Sequence, residues 1–255
     1  MQKMQWHIGC SGFYYKEWKE VFYPKGLPQK KWFEFYCQHF NTIEINNTFY
    51  RFPELSNLQG WYNRSPDNFT FTVKAPRAIT HLKPFTDTAS ILQDFYTVIK
   101  EGFKEKLGAV LFQLPPRLSY SAPLLNRIIE QLDTQFLNVL EFRHESWWRQ
   151  DVYQILQHHN IVFSGISYPD LPNDVISNTS TIYYRFHGLP KLYFSDYDPA
   201  FLRHIALLIQ EDQKAEQAFL YFNNTAAAAA LSNAKFIEGF IKSNQEKYFT
   251  DLQDE

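Results

Sequence analysis

The sequence has only two cysteines, Cys10 and Cys37, among its 255 residues. So few cysteines are typical of a protein that does not depend on disulfides, and we expect both thiols to be reduced. No apolar run approaches the roughly 18 residues that a membrane helix needs. Residues 1–6 also lack an apolar segment of signal-peptide length. These absences predict a cytoplasmic protein without a membrane partner.

An excess of charge of one sign is lacking as well. The formal net charge is −2, whereas a general nucleic-acid binder usually has a strongly basic face. The turn Gly9-Cys10-Ser11-Gly12 is not the glycine-rich phosphate loop that usually follows the first strand of an open doubly wound sheet. The sequence therefore disfavours nucleic acid as the partner, disfavours that fold, and contains no cofactor motif.

Apolar residues make up 45% of the chain and aromatic residues 18%, which is enough for a large core. Eight apolar segments alternate with mostly helical ones. The predicted strands are 6–10, 42–51, 69–74, 108–113, 138–142, 161–165, 181–187 and 218–223. The predicted helices are 32–40, 53–63, 88–103, 122–132, 151–158, 199–210 and 225–240.

This order predicts an α/β fold, a TIM-like (β/α)₈ barrel that forms a single domain over residues 1–255. The segment 167–180 contains two prolines and no convincing helix. We therefore expect the sixth helix of the barrel to be missing or distorted. The residues from about 244 to 255 are polar and are expected to form a C-terminal tail.

Polar residues enter the second predicted strand without interrupting its alternation. Ile43 and Ile45 share one face, while Glu44 and Asn46 share the other. A buried carboxylate and amide are costly unless both are paired. The pair therefore belongs to a site, or it holds loops in place through hydrogen bonds.

Nearly every predicted strand changes from apolar to polar at its C-terminal end. In a (β/α)₈ barrel these ends meet at one mouth, where function gathers. We therefore expect one site there. The polar strand-end residues are Cys10, Ser11, Glu44, Asn46, Lys74, Gln113, Glu141, Arg143, Arg185, His187, Asn223 and Asn224.

Several of these residues are suited to hold an anion. Arg185 and His187 lie two residues apart, and arginine presents a planar fork to carboxylate or phosphate. Lys74 would attract an anion as a point charge. The alternative is that Lys74 only extends its ammonium group to solvent. Arg143 belongs to this set, unless it forms a structural ion pair with Glu141.

The start of the last predicted helix has a similar double interpretation. Asn223 and Asn224 precede a run of small residues. Free backbone N–H groups and the helix dipole favour an anion at such a position. A plain helix cap explains the same residues.

These residues predict an enzyme, a hydrolase, lyase or isomerase, that acts on a small phosphorylated or carboxylated substrate by general acid/base chemistry. Glu44 or Glu141 would be the base or acid, and His187 would transfer a proton. Arg185→Ala is then expected to abolish ligand binding and to leave the melting temperature nearly unchanged. The residues predicted to bind the substrate are Asn46, Tyr50, Arg51, Lys74, Gln113, Arg143, Arg185, Asn223 and Asn224.

Two alternatives remain open. In the first, Glu44, Glu141, His187 and His81 hold a divalent metal that assists phosphoester or sugar chemistry. No close-spaced ligand motif supports that site, and the nearby cations oppose it, so no metal ligand is assigned. In the second, the protein binds a nucleotide or nucleic acid without catalysis.

The second alternative depends on aromatic residues around the predicted mouth. Segment 13–23 is rich in aromatic residues, and Tyr50, Trp147, Trp148 and Tyr193 lie near other strand ends. Such rings would stack on a base or sugar, or they would cap the barrel as core. Cys10 is interpreted as a small packing residue because no neighbouring base is evident.

The chain resembles the YecE-like family, domain of unknown function 72, in stretches distributed along nearly its whole length. The matching stretches are 8–13, 22–24, 44–51, 112–116, 141–144, 185–188 and 221–224. Phe13 stands where the family commonly has tryptophan. The resemblance implies a TIM-like barrel and implies no particular activity. Substrate identity and oligomeric state are not indicated by the sequence.

Overall fold

A computed structural model of the protein describes residues 4–251, with side chains through residue 244. The strands in this part of the chain are β1 (Gln5–Cys10), β2 (Thr42–Ile45), β3 (Thr70–Lys74), β4 (Leu107–Gln113), β5 (Asn138–Glu141), β6 (Val162–Phe163), β7 (Gly165–Ser167), β8 (Thr181–Phe186) and β9 (Gln217–Phe222). The α-helices are α1 (Trp32–Cys37), α2 (Leu55–Arg64), α3 (Ala89–Phe103), α4 (Ala122–Gln131), α5 (Gln150–His158), α6 (Pro199–Gln210) and α7 (Ala229–Asp251).

All strand pairs are parallel, and they form two sheets with the orders β1-β9-β8-β7 and β2-β3-β4-β5-β6. A parallel bridge between Ser11 and Glu44 links the sheets on one side. On the other side only Ser164 separates β6 from β7, so one predicted strand contributes to both sheets. The prediction of a TIM-like α/β fold is confirmed.

The segment between β7 and β8 contains no helix, as predicted. Asn178 replaces helical packing with hydrogen bonds to the β6 backbone. Its Oδ1 accepts from Phe163 N at 2.9 Å, and its Nδ2 donates to the Ile161 carbonyl at 2.8 Å. A Cβ on Gly165 would lie 2.7 Å from the Asp174 carbonyl oxygen, so glycine is needed for this close approach.

Two helices begin where the sequence offers a cap followed by proline. Ser121 accepts a hydrogen bond from Leu124 N, and Asp198 accepts one from Ala200 N. A proline stands in the first turn of each helix. The side-chain acceptor satisfies a free N–H group, and proline has no N–H group to satisfy there.

The largest errors in the predicted boundaries are at the end of β2 and at both ends of α7. Strand β2 ends at Ile45, and a 3₁₀ turn over Asn47–Phe49 follows. The last helix begins at Ala229 rather than at residue 225, after a turn in which Ala228 has a φ of 61°. Helix α7 continues to Asp251, through most of the predicted polar tail, while residues 252–255 of that tail lie outside the described residues.

The alternation of the strands divides the core into two parts. A compact cluster fills the inside of the barrel and includes Ala109, Leu111, Val139, Tyr183 and Tyr221. A larger cluster packs the outer strand faces against the helices. The apolar filling of the inside ends in polar residues at the C-terminal ends of the strands.

Candidate active site at the carboxyl ends of the strands

Strand parity determines which polar residues face the inside of the mouth. Side chains two residues apart share a face, so the inward positions continue from Leu111 to Gln113 and from Tyr183 to Arg185. In each strand, every second residue therefore faces the inside of the barrel. The inward residues at this end are Ser11, Glu44, Lys74, Gln113, Glu141, Arg143, Arg185, His187 and Asn223.

Glu44 is fully buried and its carboxylate is fully occupied. Oε1 accepts from Ser11 Oγ and from Arg185 Nη2, each at 2.6 Å. Oε2 accepts from Tyr183 OH at 2.5 Å. Glu44 thus makes the kind of structural hydrogen bonds that the sequence offered as the alternative to a catalytic role. Asn46 is not one of its hydrogen-bond partners.

Glu141 is also fully buried and lies between two arginines. Its Oε1 accepts from Arg143 Nε at 2.5 Å, and its Oε2 accepts from Arg185 Nη1 at 2.6 Å. Burial alone would raise the pKa of Glu141. The two guanidinium groups outweigh burial and hold this pKa well below its usual range.

Arg185 joins the two carboxylates. One side of its guanidinium group meets Glu44 and the other meets Glu141, and the side chain is only 1% exposed. The predicted clamp, in which Arg185 presents its fork to an anion, is therefore corrected. Its terminal nitrogens are engaged by protein carboxylates, and its buried Nε has no hydrogen-bond partner among the described residues.

His187 is buried beside this cluster, with Nε2 3.0 Å from Arg143 Nη2 and 3.4 Å from Glu141 Oε2. Burial lowers its pKa well below the usual value, and the charges of Arg143 and Arg185 lower it further. His187 is therefore neutral at physiological pH, with one nitrogen free to accept a hydrogen bond.

The neighbours of His187 determine where its proton lies. Arg143 can only donate, so Nε2 accepts and the proton is on Nδ1. Nδ1 lies 3.0 Å from the side-chain amide of Asn223. The Asn223 atom at this distance is Nδ2, which can only donate, so the Nδ1–H group finds its acceptor when the amide is rotated by about 180° to place its oxygen there.

Arg143 retains donor capacity at the mouth. Its Nε and Nη2 contact Glu141 and His187, and its guanidinium carbon lies 4.1 Å from the centre of the Tyr168 ring. The side chain is 6% exposed. Arg143 thus has the position and geometry that the sequence suggested for Arg185.

Lys74 lies at the end of β3 with a different set of neighbours. Its Nζ donates to Gln113 Oε1 at 2.9 Å and lies 4.3 Å from the centre of the Phe49 ring. Burial, followed by the charge of Arg185, lowers the pKa of Lys74 to about 7. Its amine is therefore partly neutral at physiological pH.

His81 extends this second group. Its Nε2 is 3.4 Å from Gln113 Nε2. Burial lowers the pKa of His81 to about 4, with Lys74 as the next cause. Lys74, Gln113 and His81 thus form a polar strip with little positive charge, beside the charged cluster of Glu44, Glu141, Arg143 and Arg185.

Four predicted binding residues lie outside these contacts. Tyr50 is 73% exposed, and the Arg51 side chain is 82% exposed and paired with Glu54. Asn224 is buried, and its amide donates to the Ser195 carbonyl at 2.9 Å and to Asn233 Oδ1 at 2.8 Å. It does not begin the last helix, so the helix-dipole site predicted there is corrected. Asn46 belongs to a neighbouring cavity.

That cavity has a volume of about 550 Å³ and lies between the ends of β1 and β2 and helices α1 and α2. It is mostly apolar. Asn46 Oδ1 is buried there without a hydrogen-bond partner among the described residues. The cavity is lined by Gly12, Phe13, Tyr14, Tyr15, Gln29, Lys30, Phe33, Ile45, Asn46, Asn47, Trp61 and Arg64.

Most of the aromatic residues near the mouth are core. Trp18, Tyr23 and Trp147 are almost completely buried, whereas Tyr14 and Tyr193 are exposed. Tyr183 and Tyr168 were not selected from the sequence, although they contact Glu44 and Arg143. Parity with Arg185 would have identified Tyr183, but no local pattern marks Tyr168.

The described residues contain no group of three or more histidine, cysteine, aspartate or glutamate side chains placed to hold a metal ion. No described helix is long and apolar enough to span a membrane.

The strand order and the polar carboxyl ends define a TIM-like α/β barrel protein with a charged mouth. The chain belongs to the family described as "Protein of unknown function DUF72", which matches residues 7–254. The resemblance to the YecE-like family is thereby confirmed.

Relatives of this chain carry family names that state no activity. UPF0759 protein YunF of Bacillus subtilis (strain 168) is 24% identical, over 90% of this chain and 92% of that protein. UPF0759 protein YecE of Escherichia coli (strain K12) is 28% identical, over 48% of this chain and 49% of that protein. The crystal structure of a DUF72 family protein from Thermotoga maritima MSB8 has a TM-score of 0.85 and 25% identity, over 93% of this chain and 99% of that one.

Proposed function

We propose that the protein is an enzyme that binds a small phosphorylated or carboxylated substrate at the mouth of the barrel and acts on it by acid/base chemistry. The observation that carries this proposal is the pairing of charges. Arg185 bridges Glu44 and Glu141 and Arg143 contacts Glu141, so the negative charge of the cluster is already compensated. Lys74 is an additional positive group when it is protonated.

The mouth is therefore neutral to positive, and its outer cation is Arg143. A carboxylate or phosphate oxygen would take a charge-assisted hydrogen bond from this guanidinium group. Glu44 and Glu141 then act by holding Arg185 and Arg143 in position. This role differs from the general acid or base predicted for them, since each oxygen of both carboxylates already accepts a strong hydrogen bond.

Proton transfer is assigned to the groups that are neutral near physiological pH. Lys74, with a pKa of about 7, has both protonation states available and suits general acid/base work. His187 is neutral and contacts Arg143, so it is close to the proposed anion site. Gln113 and Asn223 orient these two groups.

The test is the stabilisation of the folded protein by sulfate and oxalate in thermal unfolding. A site occupied at ten times its dissociation constant adds about 1.4 kcal/mol, or about 2–6 °C for a chain of this size. Arg143→Gln should lose this shift relative to its own melting temperature. Arg149→Gln is the control, because Arg149 is exposed and paired with Asp151. Equal shifts in both variants, or no shift in the unmodified protein, would contradict the proposal.

The aromatic cavity favours a second candidate, the binding of a nucleotide without catalysis. Rings such as Tyr14 and Trp61 would stack on a base, and Lys30 and Arg64 at the same cavity would meet phosphate. AMP binding that falls as salt rises, and that is lost in Trp61→Ala but kept in Arg143→Gln, would support this candidate. AMP binding that is lost in Arg143→Gln but kept in Trp61→Ala would instead support binding at the mouth of the barrel.

A further inference from the structure

Two lysines of the barrel region are shielded from solvent, Lys106 almost completely and Lys74 in part, and their surroundings differ. Lys106 Nζ donates to three oxygens, the Tyr62 carbonyl at 3.1 Å, the Ser65 carbonyl at 2.9 Å and Ser65 Oγ at 3.0 Å. All three donor directions of this ammonium group are therefore used. Such a cage encloses Lys106 Nζ and keeps it out of reach of a small molecule.

Lys74 has one oxygen partner, Gln113 Oε1, and one ring face, that of Phe49. Among the described residues no carboxylate oxygen lies within 4.0 Å of its Nζ. The neighbouring carboxylates are engaged by Arg185 and Arg143. The charges of Arg185 and Arg143 therefore oppose the ammonium form of Lys74, and those of Glu141 and Glu44 favour it without forming an ion pair with it.

This environment favours the neutral amine. Burial opposes the ammonium form first, and the charge of Arg185 adds to it, so that the pKa of Lys74 is about 7. Lysine acts as a nucleophile when an apolar pocket and a nearby cation keep it neutral. Lys74 also lies at the C-terminal end of β3 on the inner face of the mouth, and its side chain is not completely excluded from solvent.

We propose that Lys74 forms an imine with the carbonyl group of a small oxo acid, whose carboxylate or phosphate lies against Arg143. The location of the acid group rests on the proposed function above, and the imine itself rests on the surroundings of Lys74. The predicted anion-binding role of Lys74 is thereby extended to a nucleophilic one.

The chemistry balances without an oxidant or reductant. The Nζ lone pair attacks the carbonyl carbon, and the electron pair of the C=O double bond moves to oxygen, which takes a proton that leaves nitrogen through solvent. The resulting carbinolamine then loses its hydroxyl group and a second nitrogen proton as water, and the C=N double bond forms. The imine nitrogen then takes a proton from solvent, and the resulting iminium group draws electrons from neighbouring bonds, which fits the lyase and isomerase classes.

The experiment traps the imine in the full-length protein at neutral pH. Glyoxylate, an aldehyde that carries a carboxylate, and glycolaldehyde, a neutral aldehyde, are each added with sodium cyanoborohydride, which reduces the imine to a stable secondary amine. Peptide mass spectrometry then compares adducts at Lys74 and Lys106 in the same molecule. The comparison within one protein does not depend on how well any variant folds.

We expect at least about a tenfold excess of adduct at Lys74 over Lys106, because the Lys74 amine, with a pKa of about 7, is partly neutral at pH 7, whereas Lys106 Nζ is enclosed by three oxygens. Glyoxylate should react faster than glycolaldehyde, and sulfate should slow glyoxylate only. Lys74→Arg, which keeps the charge and removes the nucleophile, should remove this adduct and leave the others.

The outcomes separate the two proposals. An excess at Lys74 with both aldehydes and without protection by sulfate supports the imine and contradicts an anion site at Arg143. No excess at Lys74 with either aldehyde overturns the imine, and the sulfate-dependent melting shift then decides the anion site separately.

Discussion

Arg185 Nη2 donates to Glu44 Oε1 at 2.6 Å, and this bond joins strands that belong to different sheets. The two residues are 141 positions apart in the chain. The other end of the same guanidinium group meets Glu141. One arginine thus connects β8 with β2 and β5 across the inside of the barrel.

Arg185→Ala is expected to destabilise the protein by about 3–5 kcal/mol, because it leaves two buried carboxylates without their shared cation. This expectation corrects the sequence-based prediction of an unchanged melting temperature. Urea unfolding measures the loss. Arg51→Ala is the matched control, since Arg51 forms an exposed pair with Glu54 whose removal should cost less than about 1 kcal/mol. Similar losses in both variants would contradict the bridging role.

Arg143→Gln is expected to raise the pKa of His187 toward its ordinary value. Burial keeps this pKa low, and the charge of Arg143 is the next cause. Removal of that charge makes the imidazolium form less costly, while burial still holds the pKa below about 6.5. NMR titration of the imidazole protons, with His187→Gln for assignment, measures the change. An unchanged His187 resonance over the titration would show that Arg143 does not act on the ring.

Lys74→Met should change how stability depends on pH. The folded-state pKa of Lys74 is about 7, and the unfolded value is about 10.4. Between these values the unfolded state binds more protons, so the native protein gains stability as pH rises, by up to about 1.4 kcal/mol per pH unit. Below pH 7 both states are protonated and the cost of burying the ammonium group is constant.

The variant lacks this titration. Its stability relative to the unmodified protein should therefore be highest below pH 7 and should fall as pH rises from about 7 to 10. Urea unfolding at a series of pH values measures both proteins. Parallel curves would mean that Lys74 is an ordinary exposed lysine, and the imine proposal would lose its support.

Neither cysteine should react with a thiol reagent in the folded protein. Cys10 is fully buried, and burial raises its pKa. Burial also raises the pKa of Cys37 to about 12, with the charge of Glu34 as the next cause. Since the thiolate is the reactive form, colour from dithionitrobenzoate should develop only after unfolding by guanidinium. Rapid labelling of Cys10 under native conditions would contradict its interpretation as a packing residue.

The sequence predicted the helices and strands well where local patterns are strong. The predicted helices 122–132 and 199–210 begin at the same residues as α4 and α6, directly after the caps that the structure shows at Ser121 and Asp198. The prediction was wrong where polar residues continue an alternation after the strand ends, as at Asn46 beyond β2. Alternation alone does not show where the backbone stops pairing with its neighbour.

The same limit applies to the site. Glu44, Glu141, Arg143, Arg185 and His187 come together as expected from their positions at the strand ends, and the structure shows that they also share the inward parity. Asn224 has the opposite parity and instead bonds to Ser195 and Asn233. Tyr50 and Arg51 follow the 3₁₀ turn and lie on the surface.

The sequence by itself determined the order of elements and the polarity of the barrel mouth, because strand alternation and helix caps are properties of neighbouring residues. Only the tertiary structure decided how the charges are distributed. Arg185 bridges both carboxylates, Arg143 pairs with Glu141, and Lys74 forms no ion pair among the described residues. The pairing of Arg185 with Glu44 and Glu141 joins residues that are more than 40 positions apart in the chain. No local sequence pattern specifies the distances between them.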